Sequence, residues 1–155
     1  MKNPPFNKLS IIVPVYERTE NTGELFVEYK AYFDQHYDNV EYIYVISAEQ
    51  EDVTNELKQL QEQNKDMKLI VLNRSYGEAT AIQAGFSHCT GDYVLTLPPY
   101  KQVRTEELEK LFEQIGDYDI ALAKRWPRLD SKSNQYQTRI FNKLLQKLSG
   151  QKYDD

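Results

Sequence analysis

Residues 67–102 read MKLIVLNRSYGEATAIQAGFSHCTGDYVLTLPPYKQ. Lys68–Leu72 is a short apolar run with the length of a buried strand. Ser75–Tyr76–Gly77 interrupts it. Ala79, Ile82 and Phe86 then recur at helical spacing, Thr90–Gly91 stops that helix, and Tyr93–Leu97 is a second apolar run. Strand, helix and strand make a βαβ unit, which crosses over right-handed within one parallel sheet.

Upstream, Leu9–Val15 (LSIIVPV) is nearly continuous in its apolar character, as suits a central parallel strand covered on both faces. Pro14 fits the end of such a strand. The Tyr16–Glu17–Arg18–Thr19 loop follows, and ligands of doubly wound sheets bind beyond the carboxyl ends of the strands. Asn21–Thr22 can cap a helix whose apolar stripe is Leu25, Phe26, Tyr29, Tyr32 and Phe33. Val40–Ser47 reads as the second strand, and Val53, Leu57 and Leu60 mark the next helix.

Downstream, Thr105 caps a helix carrying Leu108, Leu111, Phe112 and Ile115, ended by Gly116. Tyr118–Ala123 reads as a fifth strand. Asn134–Leu148 is the last helix, with Tyr136, Ile140, Phe141, Leu144, Leu145 and Leu148 on one side and Arg139, Lys143 and Lys147 beside them. Packing of that apolar side on the sheet is the main expectation, and contact with an acidic membrane surface is an additional one. Strands alternating with helices predict an α/β fold, a three-layer αβα sandwich with a mostly parallel sheet.

At 155 residues the chain predicts one domain. No apolar run approaches the roughly 18–20 residues that span a bilayer, and residues 1–10 hold no apolar core of a signal peptide. Cys89 is the only cysteine, so an internal disulfide and a cysteine-cluster metal site are excluded, and the cytoplasm is the expected compartment. His36 and His88 have no second ligand at metal-binding spacing and read as surface or packing residues. The net charge of −5 hides an asymmetry: residues 120–152 carry eight Lys or Arg against one Asp. Such a basic end suits an anionic partner, or simply a solvated helix face, and both readings stay open.

Arg74, Tyr76, Gly77, Ala81, Ala84–Gly85 and Gly91–Asp92–Tyr93 together resemble the core of the family 2 glycosyltransferases. The resemblance is strongest to the branch that moves a sugar from a nucleotide onto a polyprenyl phosphate. It runs from Leu9 to Gly150 and includes Arg139–Ile140–Phe141–Asn142, Leu144–Leu145 and Leu148–Ser149–Gly150. It implies a nucleotide-diphospho-sugar-transferase-like (GT-A) sheet and a single truncated domain over residues 1–155. It also implies a UDP- or GDP-linked nucleotide-sugar as ligand. Pro14, Tyr16, Glu17, Ser47, Arg74 and Gly77 would line the nucleotide site, with Lys101, Gln102 and Arg125 on the diphosphate or acceptor side.

Two acidic motifs of that family are replaced. Its Asp-x-Asp after the Tyr93–Leu97 strand is Pro98–Pro99–Tyr100 here, with Gln102 kept. Its Asp-Asp after the second strand is Ser47–Ala48, in a register fixed by Asp52 and Thr54. The family also continues beyond the position of Asp155 with a segment that supplies its acceptor site and catalytic base. The resemblance therefore predicts a degenerate transferase domain that is inactive as this chain, with no metal, no cofactor and no assigned catalytic residue. The alternative is a binding or scaffolding domain that keeps only the fold. Expected partners are a lipid phosphate or an acidic membrane surface and a second copy of the chain, with no nucleic acid. The expected location is cytoplasmic, peripheral at the membrane.

Overall fold

The computed structural model describes residues 6–16, 18–19, 21–115, 118–123 and 131–150. They belong to two compact units, Met1–Asp117 and Tyr118–Asp155. In the first, β1 (Leu9–Val15), α1 (Thr22–His36), β2 (Val40–Ser47), α2 (Glu51–Gln63), β3 (Met67–Leu72), α3 (Glu78–Phe86) and β4 (Tyr93–Thr96) follow one another. A 3-10 turn at Thr105–Leu108 then leads into α4 (Glu109–Ile115). The sheet order is β3-β2-β1-β4 and every pairing is parallel. The fold is therefore α/β, as the alternation of apolar runs and helical stripes requires.

All seven residues of β1 and all eight of β2 are buried, because helices cover both faces of the central strands. The two-residue period divides them. Leu9, Ile11, Val13 and Val15 join Tyr42, Tyr44 and Ile46 against Leu25, Phe26, Tyr29 and Phe33 of α1 and Leu57 of α2. Ile12, Ile43 and Val45 face the other way, onto Ala81 of α3. Three layers result. At the start of β1, Phe6 packs against Phe112 of α4 with ring centroids 5.2 Å apart.

Small residues of the central motif set the approach of α3. A Cβ on Gly85 would lie 2.5 Å from Cγ2 of Ile12, so α3 seats closely on β1 only with glycine there. At Gly91 the neighbours are backbone atoms that yield less, because a Cβ there would meet the backbone N of Ser10 at 2.7 Å and the carbonyl of Lys8 at 2.8 Å.

Two local expectations are corrected. Asn21 does not cap α1 with its side chain; it takes a left-handed conformation with φ of 59°, and its carbonyl accepts from Leu25 N at 2.9 Å. Tyr118–Ala123 forms no strand, and Tyr118, Ile120 and Leu122 are exposed. Alternation alone does not make a strand, since each ladder hydrogen bond needs a neighbour. Among the described residues β4 pairs only with β1, so its outer edge carries no strand. In the second unit α5 spans Lys132–Ser149, with Phe141 60% exposed and Leu148 85% exposed. No described helix is long and apolar enough to cross a membrane.

Candidate functional site

The strand order changes direction at β1. The chain passes from β1 to β2 and β3 on one side, then returns through α3 to β4 on the other. The crevice outside the carboxyl ends of β1 and β4 is thus the switch point where such sheets take ligands. Four loops meet at this end: Tyr16–Asn21 after β1, Ala48–Gln50 after β2, Asn73–Gly77 after β3 and Leu97–Gln102 after β4.

On one side, side chains join the loops after β1, β2 and β3. Gln50 Nε2 donates to the carbonyl of Tyr16 at 3.3 Å. Ser47 Oγ donates to Glu49 Oε2 at 2.7 Å, and Glu49 Oε1 accepts from the backbone N–H of Ser75 at 3.3 Å. The Tyr16 hydroxyl lies 3.4 Å from Glu78 Oε2 in the first turn of α3. Gly77 makes the turn into α3 with φ of 83°, a conformation that suits glycine, and nothing lies within 4 Å of its Cβ direction. Its role is therefore conformational rather than steric. Arg74 stacks on its neighbour Tyr76, with Cζ 4.7 Å from the ring centroid.

On the other side, β1 and β4 carry their loops out together. Leu97 N donates to the carbonyl of Ile12 at 3.0 Å. Thr22 Oγ1 donates to the Thr19 carbonyl at 2.8 Å and lies 3.4 Å from the Pro99 carbonyl. The guanidinium of Arg18 lies over the Tyr100 ring, 5.3 Å from its centroid.

The structure thus brings Tyr16, Ser47, Arg74 and Gly77 to one end of the sheet. Pro14 is a buried member of β1, opposite Val45, and presents no side chain to the crevice. Lys101 turns outward to Glu28 of α1, with Nζ 2.7 and 2.8 Å from the two carboxylate oxygens. Gln102 is exposed beside it. Glu17 and Arg125 lie outside the described residues. Glu49, Gln50 and Glu78 were not singled out by the sequence, and Arg18 was named only as part of the loop after β1; the available signal was their position within a few residues of a strand end or at a helix start.

The fold family implies a divalent cation, and the donor set after β4 does not fit one. Pro98 and Pro99 have no side-chain donor, and Tyr100 offers a phenol oxygen where hard cations prefer carboxylates. Among the described residues no three His, Cys, Asp or Glu side chains come together as a cation site.

The opposite end of the sheet is a latch. Ser10 and Glu41 are cross-strand partners, and Ser10 Oγ donates to Glu41 Oε1 at 2.6 Å. Thr90 donates to the same oxygen from its backbone N and its hydroxyl, at 2.6 and 2.9 Å. Lys68 Nζ lies 2.8 Å from Oε2. Burial raises the Glu41 pKa, but these donors outweigh it and hold the carboxyl well below the usual range. Asp92 accepts from Asn7 N at 2.9 Å and Lys8 N at 2.7 Å, and these backbone bonds lower its pKa. Gly91–Asp92, part of the motif, therefore fastens β4 to β1 and lies away from the crevice.

A parallel sheet of this order with a crevice at its switch point belongs to the doubly wound α/β class. Residues 10–154 match the family described as Glycosyl transferase family 2, and the chain belongs to that family. Among curated proteins it resembles undecaprenyl-phosphate 4-deoxy-4-formamido-L-arabinose transferases. The relative from Klebsiella pneumoniae is 30% identical over 154 residues, 98% of this chain and 47% of the relative. That from Pseudomonas fluorescens is 33% identical over 152 residues, 97% of this chain and 45% of the relative. The chain thus spans about half the length of the curated relatives it matches. Among solved structures, a mannosyltransferase from Pyrobaculum calidifontis in complex with GDP-Man and Mn2+ shares the fold, with a TM-score of 0.62 and 20% identity. The match covers 76% of this chain and 36% of that one.

Proposed function

We propose that the crevice takes the nucleoside diphosphate part of a UDP- or GDP-linked sugar without a divalent cation, and that the chain as given does not transfer the sugar. The observation that carries this reading is that hydrogen bonds tie Tyr16 to Glu78 and Glu49 to Ser47 and Ser75 at the carboxyl end of the sheet, beside a β4 loop without carboxylates. In a metal-assisted transfer the cation would offset charge on the leaving diphosphate. The residues at Pro98–Tyr100 and Ser47–Ala48 supply no ligands for that role. Calorimetry with UDP- and GDP-sugars tests the reading: weak binding in EDTA is expected, changed less than tenfold by Mn2+, with no sugar transferred. Tightening by tenfold or more, about 1.4 kcal/mol, would overturn it.

The second unit supports a further part of the same reading, in which α5 rests on an acidic lipid surface near a lipid-phosphate acceptor. The sequence of α5 holds Lys132, Arg139, Lys143 and Lys147 and no acidic residue, beside exposed Tyr136, Phe141, Leu144 and Leu148. Each cation near such a surface is worth about 1 kcal/mol and is screened within about 8 Å at physiological salt. Flotation should show salt-sensitive binding to acidic vesicles and none to neutral ones; equal binding to both would refute the electrostatic part.

A further inference from the structure

The loop after β4 cannot present a divalent cation to a diphosphate, yet a diphosphate brings negative charge that needs an opposing group. We propose that Arg18 supplies it: stacked on Tyr100 at the switch point between β1 and β4, its guanidinium is the fixed cation for the diphosphate of the nucleotide. This rests on the nucleotide reading above and names the residue that does the work of the absent ligand set.

Position comes first. Arg18 follows β1 and Tyr100 follows β4, the two strands that flank the crevice. Their loops are held together by the Leu97–Ile12 backbone bond and the approach of Thr22 to the Pro99 carbonyl, so the pair sits on a defined floor. With Cζ 5.3 Å from the ring centroid, the guanidinium lies within cation–π range. Among the described residues no hydrogen bond uses its N–H groups, which leaves them for a planar, two-pronged grip on phosphate oxygens.

Charge comes second. The other cation of the β4 loop, Lys101, is engaged by Glu28. Among the described residues of these loops, two carboxylates accept hydrogen bonds: Glu49 from Ser47 and Ser75, and Glu78 from the Tyr16 hydroxyl. No described carboxylate pairs with Arg18, which is exposed and holds only the ring among the described residues. Arg74 sits across the crevice side of the sheet after β3 and stacks on Tyr76, away from the β1–β4 junction. The increment from a diphosphate therefore falls to Arg18.

The test compares each nucleoside with its diphosphate, guanosine with GDP and uridine with UDP, by calorimetry in EDTA. Wild-type chain is expected to bind one diphosphate at least tenfold more tightly than its nucleoside, with the advantage shrinking as salt rises. Arg18→Gln is expected to remove most of that advantage while leaving nucleoside affinity within about twofold, and Tyr100→Ala to reduce it partially. Arg18 is exposed, so folding of the variants is checked by an unchanged urea midpoint. Arg18→Gln with the full diphosphate advantage retained overturns this assignment alone. An advantage that appears only with Mn2+ also overturns it, since a metal then does the work. Absence of binding by nucleosides and nucleotides alike to the wild-type chain overturns the nucleotide reading itself.

Discussion

Glu41, at the amino end of the sheet, is 4% exposed and takes four hydrogen bonds from Ser10, Lys68 and Thr90. Glu49, at the carboxyl end, takes two, one of them at 3.3 Å, and belongs to a loop. The contrast runs across the whole sheet. At the amino end, Gly91 allows backbones to touch, Asp92 is gripped by two backbone N–H groups, and each buried polar atom of Ser10 and Glu41 has a partner. At the carboxyl end, the contacts of Tyr16 with Glu78 and Gln50 are longer, at 3.4 and 3.3 Å, and two arginines lie over rings, that of Tyr76 exposed and that of Tyr100 half-buried. One end spends its polar groups on holding strands together, and the other keeps them available for a ligand. The difference matters because a buried polar network stabilises only when fully satisfied, whereas a binding site needs groups that water satisfies until the ligand arrives.

The largest effect is therefore expected at Glu41. Replacing it with Ala leaves the buried Ser10 hydroxyl and the Thr90 donors without their acceptor and Lys68 without its carboxylate, at a cost of about 2 kcal/mol. A drop in the urea midpoint at pH 7, with the slope unchanged, would show it. The pH dependence has a definite sign. The folded carboxyl is held below its ordinary value, so its contribution is complete above about pH 4.3, the unfolded value, and fades as pH falls toward the folded one. Glu41→Gln should flatten that acid limb. If Glu41→Ala loses less than 1 kcal/mol, the amino end is not the latch described above.

How far the sequence shows this division depends on the range of the forces involved. β1 and β2 were legible to the residue, because strands covered on both faces leave continuous apolar runs. Gly77 was legible as a turn for the same local reason. Tyr118–Ala123 misled, because its alternation says what a strand would bury but not whether a neighbouring strand exists. Gly91–Asp92 helped carry the family resemblance yet proved to be a fastening, since a motif records constraint without saying which constraint. Arg18 over Tyr100 and Lys101 on Glu28 join residues far apart in the chain, and no local pattern announces such pairs.

Lys101 gives the smallest effect and separates the two ends most sharply. Its ion pair with Glu28 has good distances, 2.7 and 2.8 Å, but the Lys101 side chain is 59% exposed and that of Glu28 is 38% exposed. Water screens both charges and two long side chains must be ordered, so such a pair contributes roughly 0.2–1 kcal/mol. Lys101→Ala should shift the urea-derived stability by no more than about 0.5 kcal/mol, several times less than Glu41→Ala. Because Glu28 already holds the ammonium, the same variant should leave GDP and UDP affinity within about twofold, where Arg18→Gln loses most of the diphosphate advantage. Affinity that falls as far in Lys101→Ala as in Arg18→Gln would mean that the lysine leaves Glu28 when an anion arrives. The carboxyl end would then hold two working cations, and its apparent engagement of Lys101 would be only the resting arrangement.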